Sequence, residues 1–275
     1  MDSFNLKNDS VDFDRAVSLG NGVWWVGFQD RESGLRCNPY LIVEGDEAIL
    51  LDGGSRPDFP VVMMKILETG LNPRNISALI YDHFDPDLCG SIPNLEEMIA
   101  NPDLKVISAD ISKMFLHHYG SKSQFASISK LDYKFVFKTG RELEFIPVPH
   151  CHSPGSFVVF DPLARILFSS DLFGTYDKTW RLFLGLPEGC KQCDPCRQCQ
   201  KNELSCQIEG YLAFHRTIMP CSKAVHLAMA RLKTLPFEIV ASQHGSILDR
   251  GSAQVLIREL ERTDDIGIDQ FESLK

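Results

Sequence analysis

Four short apolar runs in this sequence each end on residues that bind metal ions, and that pattern constrains the fold more than any bulk property does. Ile76-Ser77-Ala78-Leu79-Ile80-Tyr81 leads into Asp82-His83-Phe84-Asp85-Pro86-Asp87, and residues 143–147 lead to His150-Cys151-His152. Residues 165–169 are followed by Asp171, and residues 237–241 by Gln243-His244-Gly245. Runs this short and apolar read as buried strands. Ligands delivered by separate strand ends meet when those ends lie along one edge of a layered sheet. His83, Asp85, Asp87, His152, Asp171 and His244 are therefore the candidate ligands of a two-metal site. Imidazole and carboxylate together suit iron, manganese or zinc, whereas a thiolate-rich set would indicate a structural zinc. Asp171 is the natural bridging carboxylate. The alternation in His-x-Asp-x-Asp presents three ligands on one side of a loop that Pro86 stiffens.

The rest of the chain has the same grammar. Residues 22–28 and 40–43 are β-rich, Glu44-Gly45-Asp46 turns the chain, and residues 48–52 form the next strand. Residues 58–70 read as a helix, with Asp58 as N-cap, Val61, Met64, Ile66 and Leu67 on its apolar face, and Gly70 as its stop. Residues 135–137 and 143–147 are strands, and residues 156–160 and 165–169 form a hairpin. Strands interleaved with helices predict a layered α/β domain with helices outside. No repeat or low-complexity linker divides the chain, so residues 1–275 are expected to form a single domain.

Composition then limits the function. A chain of 275 residues with 44% hydrophobic content can bury a large core. Its formal charge of −9 argues against DNA as a partner, since phosphate binding wants a basic surface. The start is polar and acidic, with neither a basic nor an apolar leader region, and no stretch is apolar enough for a bilayer, so a cytoplasmic protein is expected.

His83-Phe84-Asp85-Pro86-Asp87 followed by Gly90-Ser91-Ile92-Pro93 resembles the His-x-Glu-x-Asp-His and Gly-Ser segments of the flavodiiron proteins. His152-Ser153-Pro154-Gly155-Ser156 matches the next ligand segment, and residues 167–174 are close to the bridging-aspartate motif. Residues 218–223 and 241–245 complete the order. The resemblance implies a metallo-β-lactamase-like αββα sandwich, a pair of non-haem iron ions and chemistry with O2 or NO. It implies that His83, Asp85 and His152 serve one iron and Asp87 and His244 the other, with Asp171 as bridge. Three departures stand out. Asp85 replaces the usual Glu, and Leu88 stands where a histidine for the second iron is expected. The sequence also ends where the family's flavodoxin domain would begin, so no flavin module is expected. Stand-alone relatives of this kind resemble the oxygen-binding diiron proteins of bacteria, and partners of the flavodiiron type imply a head-to-tail homodimer.

Two more histidines are candidates for catalysis. His150 is placed either to orient His152 or simply to meet solvent at a strand end. His215, near residues 218–220, is placed to donate a proton near bound O2. His117, His118 and His226 read as surface or packing residues, and Asp52 as a brace for the ligand loops.

Nine cysteines are many for a reducing compartment, and five of them fall between Cys190 and Cys206. Cys190, Cys193, Cys196 and Cys199 recur at every third position, and Pro195 disfavours a regular helix there. A chain of this kind coils around a soft metal centre, predicting a Cys-rich metal-binding insertion at about residues 186–209. The first three cysteines match the start of a bacterial ferredoxin-like run, leaving Cys199, Cys206 or Cys221 as the fourth ligand. A [4Fe–4S] cluster is the first expectation and tetrahedral zinc the alternative. Cys89 and Cys151 read as packing thiols.

The functional expectation is a redox-active diiron protein that binds, senses or reduces O2 or NO. The cysteine centre would serve as electron relay or redox sensor, with an external electron donor or signalling partner. The alternative is a phosphodiesterase that cleaves a cyclic dinucleotide with a metal-bridging hydroxide.

Overall fold

The computed structural model describes residues 11–28, 37–176, 181–191 and 206–274. Two sheets of seven strands face each other. The first runs in order β1 (Val17–Gly20), β2 (Val23–Trp25), β3 (Tyr40–Glu44), β4 (Glu47–Leu51), β5 (Ile76–Ile80), β6 (Lys105–Ser108) and β7 (Gln124–Ser127). Its strands are antiparallel as far as β4 and parallel from β4 onward. The second contains β8 (Lys134–Val136), β9 (Glu142–Pro147), β10 (Phe157–Asp161), β11 (Ile166–Phe168), β12 (Phe183–Leu184), β13 (Ile239–Ala241) and β14 (Ile247–Asp249). Their spatial order is β12-β14-β13-β11-β10-β9-β8. The hairpin expected over residues 156–169 is β10–β11, antiparallel with Val159 opposite Phe168.

The helices are α1 (Phe59–Glu68), α2 (Pro86–Cys89), α3 (Ile92–Ile99), α4 (Ser112–Leu116), α5 (Glu188–Lys191), α6 (Gln207–Ile218), α7 (Ser222–Leu232) and α8 (Arg250–Glu261). Period-two alternation sorts the strand residues into layers. Tyr40 and Ile42 point between the sheets, where they meet Phe145, Phe157, Val159 and Phe168. Leu41, Leu50 and Leu79 point outward against Val62 and Ile66 of α1 and Leu95 of α3. On the far side, Phe160, Leu167 and Val240 pack under Tyr211 of α6, Met229 of α7 and Leu256 of α8. The result is the αββα sandwich that the resemblance implied. No helix among the described residues is long and apolar enough to cross a membrane.

Two local expectations need correction: Met64 and Leu67, expected on the apolar face of α1, are exposed, while Val62, Met63, Lys65 and Ile66 are its buried residues. Asp58 does precede α1, but its carboxylate makes no capping bond to that helix. It accepts instead from Ser55 N at 2.8 Å, which tightens the turn that starts at Gly53-Gly54. Of the expected insertion, residues 192–205, including Cys193, Cys196 and Cys199, lie outside the described residues.

Candidate metal centre

All the loops that carry the candidate ligands lie at one edge of the sandwich. His83 follows β5, Asp85 and Asp87 open α2, His152 lies between β9 and β10, Asp171 follows β11, and His244 joins β13 to β14. The loops are tied to each other by main chain. Gln243 N donates to Ser170 O at 3.0 Å and Thr175 N to His244 O at 3.1 Å. Gly245 must be glycine here, because a Cβ would collide with the Phe173 carbonyl. Gly174 is under a similar constraint, since the Phe214 ring of α6 lies where its Cβ would be. Ser170 and Phe173, on either side of Asp171, take positive φ values of 55° and 64°, a sign of a backbone held in place by its surroundings.

The six side chains converge. His152 Nε2 is 3.2 Å from Asp85 Oδ2 and 3.1 Å from Asp171 Oδ2. His83 Nε2 is 3.6 Å from Asp171 Oδ1 and 3.9 Å from Asp85 Oδ2. On the other side, His244 Nε2 lies 3.3 Å from Asp171 Oδ1 and 3.4 Å from Asp87 Oδ2. Two ligands held at about 2.1 Å from one ion are themselves about 3.0–3.4 Å apart, so most of these distances are edges of coordination polyhedra. Asp171 stands between two groups, one with His83 and His152, the other with Asp87 and His244. His83 Nε2 and Asp171 Oδ1 are buried and have no hydrogen-bond partner, and both aim into the space between the groups. A cation there would satisfy both, so the residues present fit a pair of metal ions.

An inner set of side chains holds this arrangement. His83 Nδ1 donates to Asp82 Oδ1 at 2.6 Å, which turns Nε2 toward the site, the usual carboxylate–histidine arrangement behind a metal. Behind them Asp52 is buried, and the amide nitrogen of Gln243, oriented to satisfy both contacts, donates to Asp52 Oδ2 at 3.2 Å and Asn38 O at 3.0 Å. His83, Asp171 and His244 are buried, whereas Asp85, Asp87 and His152 are partly exposed and form an open rim. Phe84 stacks on Phe115 beside that rim, their centroids 4.0 Å apart, and Tyr119 Oη donates to Phe84 O at 2.7 Å.

Charge at the site is balanced between aspartates and histidines. Burial alone would lower the His83 pKa, but the carboxylates of Asp171, Asp82 and Asp85 outweigh it and push it up to about 9. The same opposition, with the hydrogen bonds that Asp171 and Asp85 accept from its ring, takes His152 up to about 10. Burial would raise Asp171, yet the imidazoles of His83 and His244 hold it well below the usual carboxylate range. Both histidines thus titrate above the ordinary value of about 6.5. Their contribution to stability in the metal-free protein is complete below pH of about 6.5 and is lost as pH rises through 9 to 10. The melting temperature of the metal-free protein is therefore expected to fall between pH 7 and pH 10 (both within the titration range of these two groups), read by scanning calorimetry. Ligation needs neutral imidazole, so metal added at pH 7 is expected to release protons into weakly buffered solution. A melting temperature that rises over this range, or metal uptake without proton release, would contradict this electrostatic account.

The two histidines considered for catalysis sit differently. His215 is fully buried, its Nδ1 donates to Tyr211 O at 2.7 Å and its Nε2 accepts from Phe173 N at 3.2 Å. Both ring nitrogens are engaged, and burial pushes its pKa down to about 4. As placed, it braces the loop after Asp171 and holds no proton directed at the pocket. His150 takes a positive φ of 63° and its side chain is exposed, so it meets solvent rather than His152. Cys89 Sγ donates to His83 O at 3.6 Å and Cys151 Sγ to Ala224 O at 3.4 Å, both as packing thiols. Cys190, Cys206 and Cys221 pack against the core under α6, α7 and α8.

Sequence reasoning missed two participants. Asp82 was visible only as the residue before His83. Cys37 belongs to no motif at all, yet its Sγ lies 3.3 Å from Asp87 Oδ2, and burial together with that carboxylate pushes its thiol up.

Comparison with known proteins agrees with this fold. Residues 35–245 match the family model described as ODP family beta lactamase. Diflavin flavoprotein A 1 of Synechocystis sp. is 26% identical over 233 residues, covering 82% of this chain and 36% of that protein. The anaerobic nitric oxide reductase flavorubredoxin of Vibrio vulnificus is 23% identical over 259 residues, covering 87% and 48%. The chain thus spans less than half of either relative. Among solved structures, a peroxy diiron species of the chemotaxis sensor ODP superposes with a TM-score of 0.71 at 21% identity, covering 94% of this chain and 98% of that one. The family match, the sequence similarity and the shared αββα sandwich make the chain a homologue of the flavodiiron proteins, and it belongs to the ODP family of beta-lactamase-fold proteins.

Proposed function

We propose that this chain is a redox-active diiron protein that binds O2 or NO, as a sensor or as a reductase drawing on an external electron donor. The observation that carries this is the position of Asp171 between two histidine groups, its Oδ2 facing His152 and its Oδ1 facing both His83 and His244. A single carboxylate between two nitrogen-bearing groups is the arrangement of a bridge. His83, His152 and Asp85 would hold one iron, Asp87 and His244 the other, with Asp171 shared. Two ferrous ions so held supply the electrons and the open coordination positions that a diatomic oxidant needs.

The protein's own contribution is orientation and access. Asp82 fixes the His83 ring, and His215 fixes the loop that carries Asp171. The rim at Asp85, Asp87 and His152 admits a small molecule. The relatives named nitric oxide reductase and chemotaxis sensor support the redox reading. As the finer part of the proposal, Cys190, Cys193 and Cys196 with one of Cys199, Cys206 or Cys221 hold a [4Fe–4S] cluster that exchanges electrons with the diiron pair.

Anaerobic reconstitution with ferrous iron and sulfide, followed by metal and sulfide analysis and exposure to O2, tests both parts. The expected result is two irons, of which His152→Ala loses the one that His152 would hold with His83, about four more irons with about four sulfides, and a spectral change on adding O2. One tightly held zinc in place of the cluster would overturn the relay. A reduced protein that ignores O2 and NO and cleaves a cyclic dinucleotide would overturn the redox reading altogether.

A further inference from the structure

The second metal group carries one nitrogen where the resemblance calls for two, because Leu88 stands at the histidine position. Leu88 does not border the site: it is fully buried in the outer core with Leu41, Tyr81 and Leu95. The place it leaves is approached from another part of the chain. Cys37 lies just before β3, its Sγ is 3.3 Å from Asp87 Oδ2, and it is 5% exposed. Ligand atoms of Cys37, Asp87 and His244 all lie within 4.8 Å of one another. The buried Asp171 Oδ1, which has no hydrogen-bond partner, points into the same space, 3.3 Å from His244 Nε2.

Cys37 is held there by its neighbour. Asn38 is fully buried, and its Nδ2 donates to Ser242 O at 2.9 Å and to Gly245 O at 2.8 Å. Asn38 N donates to Gln243 O at 3.0 Å. Three bonds from one residue thus fix the strand start that carries Cys37 to the loop that carries His244. The spacing between thiol and imidazole is built into the fold.

We propose that Cys37 ligates, as thiolate, the metal ion held by Asp87, Asp171 and His244. The inference rests on the two-metal reading above. On binding, the Sγ–H bond breaks, the proton leaves through the exposed rim to solvent, and the sulfur electron pair forms the bond to the metal. The two positions then differ in kind: His83, His152, Asp85 and Asp171 offer nitrogen and oxygen, and the second set adds sulfur. A sulfur donor shifts that position toward softer ions, so the two positions are expected to load unequally.

Cobalt(II) titration of the metal-free full chain tests this by spectrum and stoichiometry rather than by activity. The cysteines between Cys190 and Cys206 give thiolate bands of their own, so the informative quantity is the difference between wild type and Cys37→Ser. The expected difference is loss of one sulfur-to-cobalt charge-transfer band in the near ultraviolet, with one ion bound about 10–100-fold more weakly. His244→Gln leaves Cys37 in place and is expected to remove the same band, so the outcome does not depend on Cys37→Ser folding well. An unchanged band in both variants, with two ions still bound at wild-type affinity in Cys37→Ser, overturns the role of Cys37 and leaves the two-metal reading standing. Equal cobalt binding by wild type, His152→Gln and His244→Gln overturns the two-metal reading itself, and this inference with it.

Discussion

Asp171→Asn is expected to weaken both metal positions at once, by about 100-fold or more, where losing an outer partner alone costs about 10–100-fold. The reason is that Asp171 lies between the two groups: Oδ2 lies 3.1 Å from His152, while Oδ1 lies 3.3 Å from His244 and 3.6 Å from His83. An amide of the same shape keeps at most one oxygen donor and carries no charge to offset two cations. Asp85→Asn is expected to affect only the position of His83 and His152, and Asp87→Asn only that of His244. Metal titration followed by calorimetry separates the three variants. If Asp171→Asn loses a single ion and keeps the other at full affinity, Asp171 is an ordinary ligand and the bridge is wrong.

Asn38→Ala is expected to destabilise the fold by about 3–5 kcal/mol, taking about 1–3 kcal/mol for each buried partner left without its bond and allowing for relaxation. Asn38 Oδ1 accepts from Trp25 Nε1 at 2.9 Å in the first sheet, while its Nδ2 donates to Ser242 O and Gly245 O beside the second. The side chain therefore joins the two sheets at the edge where the site lies. Asn38→Asp is expected to be nearly as damaging, because it puts a second oxygen against two carbonyls that need a donor. Urea unfolding of the metal-free protein measures both, and a loss below about 1 kcal/mol for Asn38→Ala would show that the surroundings satisfy those groups without it.

Much of this was legible beforehand. The convergence of the candidate ligands and the β10–β11 hairpin follow from apolar runs that end on His or Asp, the helix over Phe59–Glu68 from its own start and stop signals, and the αββα layering from the family resemblance. Those signals are local: a buried strand must be apolar along its length, and its chemistry must sit at its ends. What escaped was either short or non-local. β1, β6 and β7 mix polar with apolar residues, and β12 and β14 have only two and three residues, so none offers a long unbroken apolar run. His215 looked like a proton donor because its position in the chain allowed it, but whether a buried histidine has a proton to give depends on what faces each nitrogen. Here those partners are Tyr211 O and Phe173 N.

The sequence by itself therefore determined which imidazole and carboxylate groups are candidates for the site, because their place at strand ends is fixed by residue type and local spacing. Only the tertiary structure decided how they are shared out. It put Asp171 between two groups, turned Leu88 into the core, and brought Cys37 beside Asp87, 50 positions further along the chain. The cause is hydrogen bonding across long separations, such as Asn38 to Ser242, 204 residues apart. No periodicity in the chain records such a bond, since it exists only when both sheets are in place.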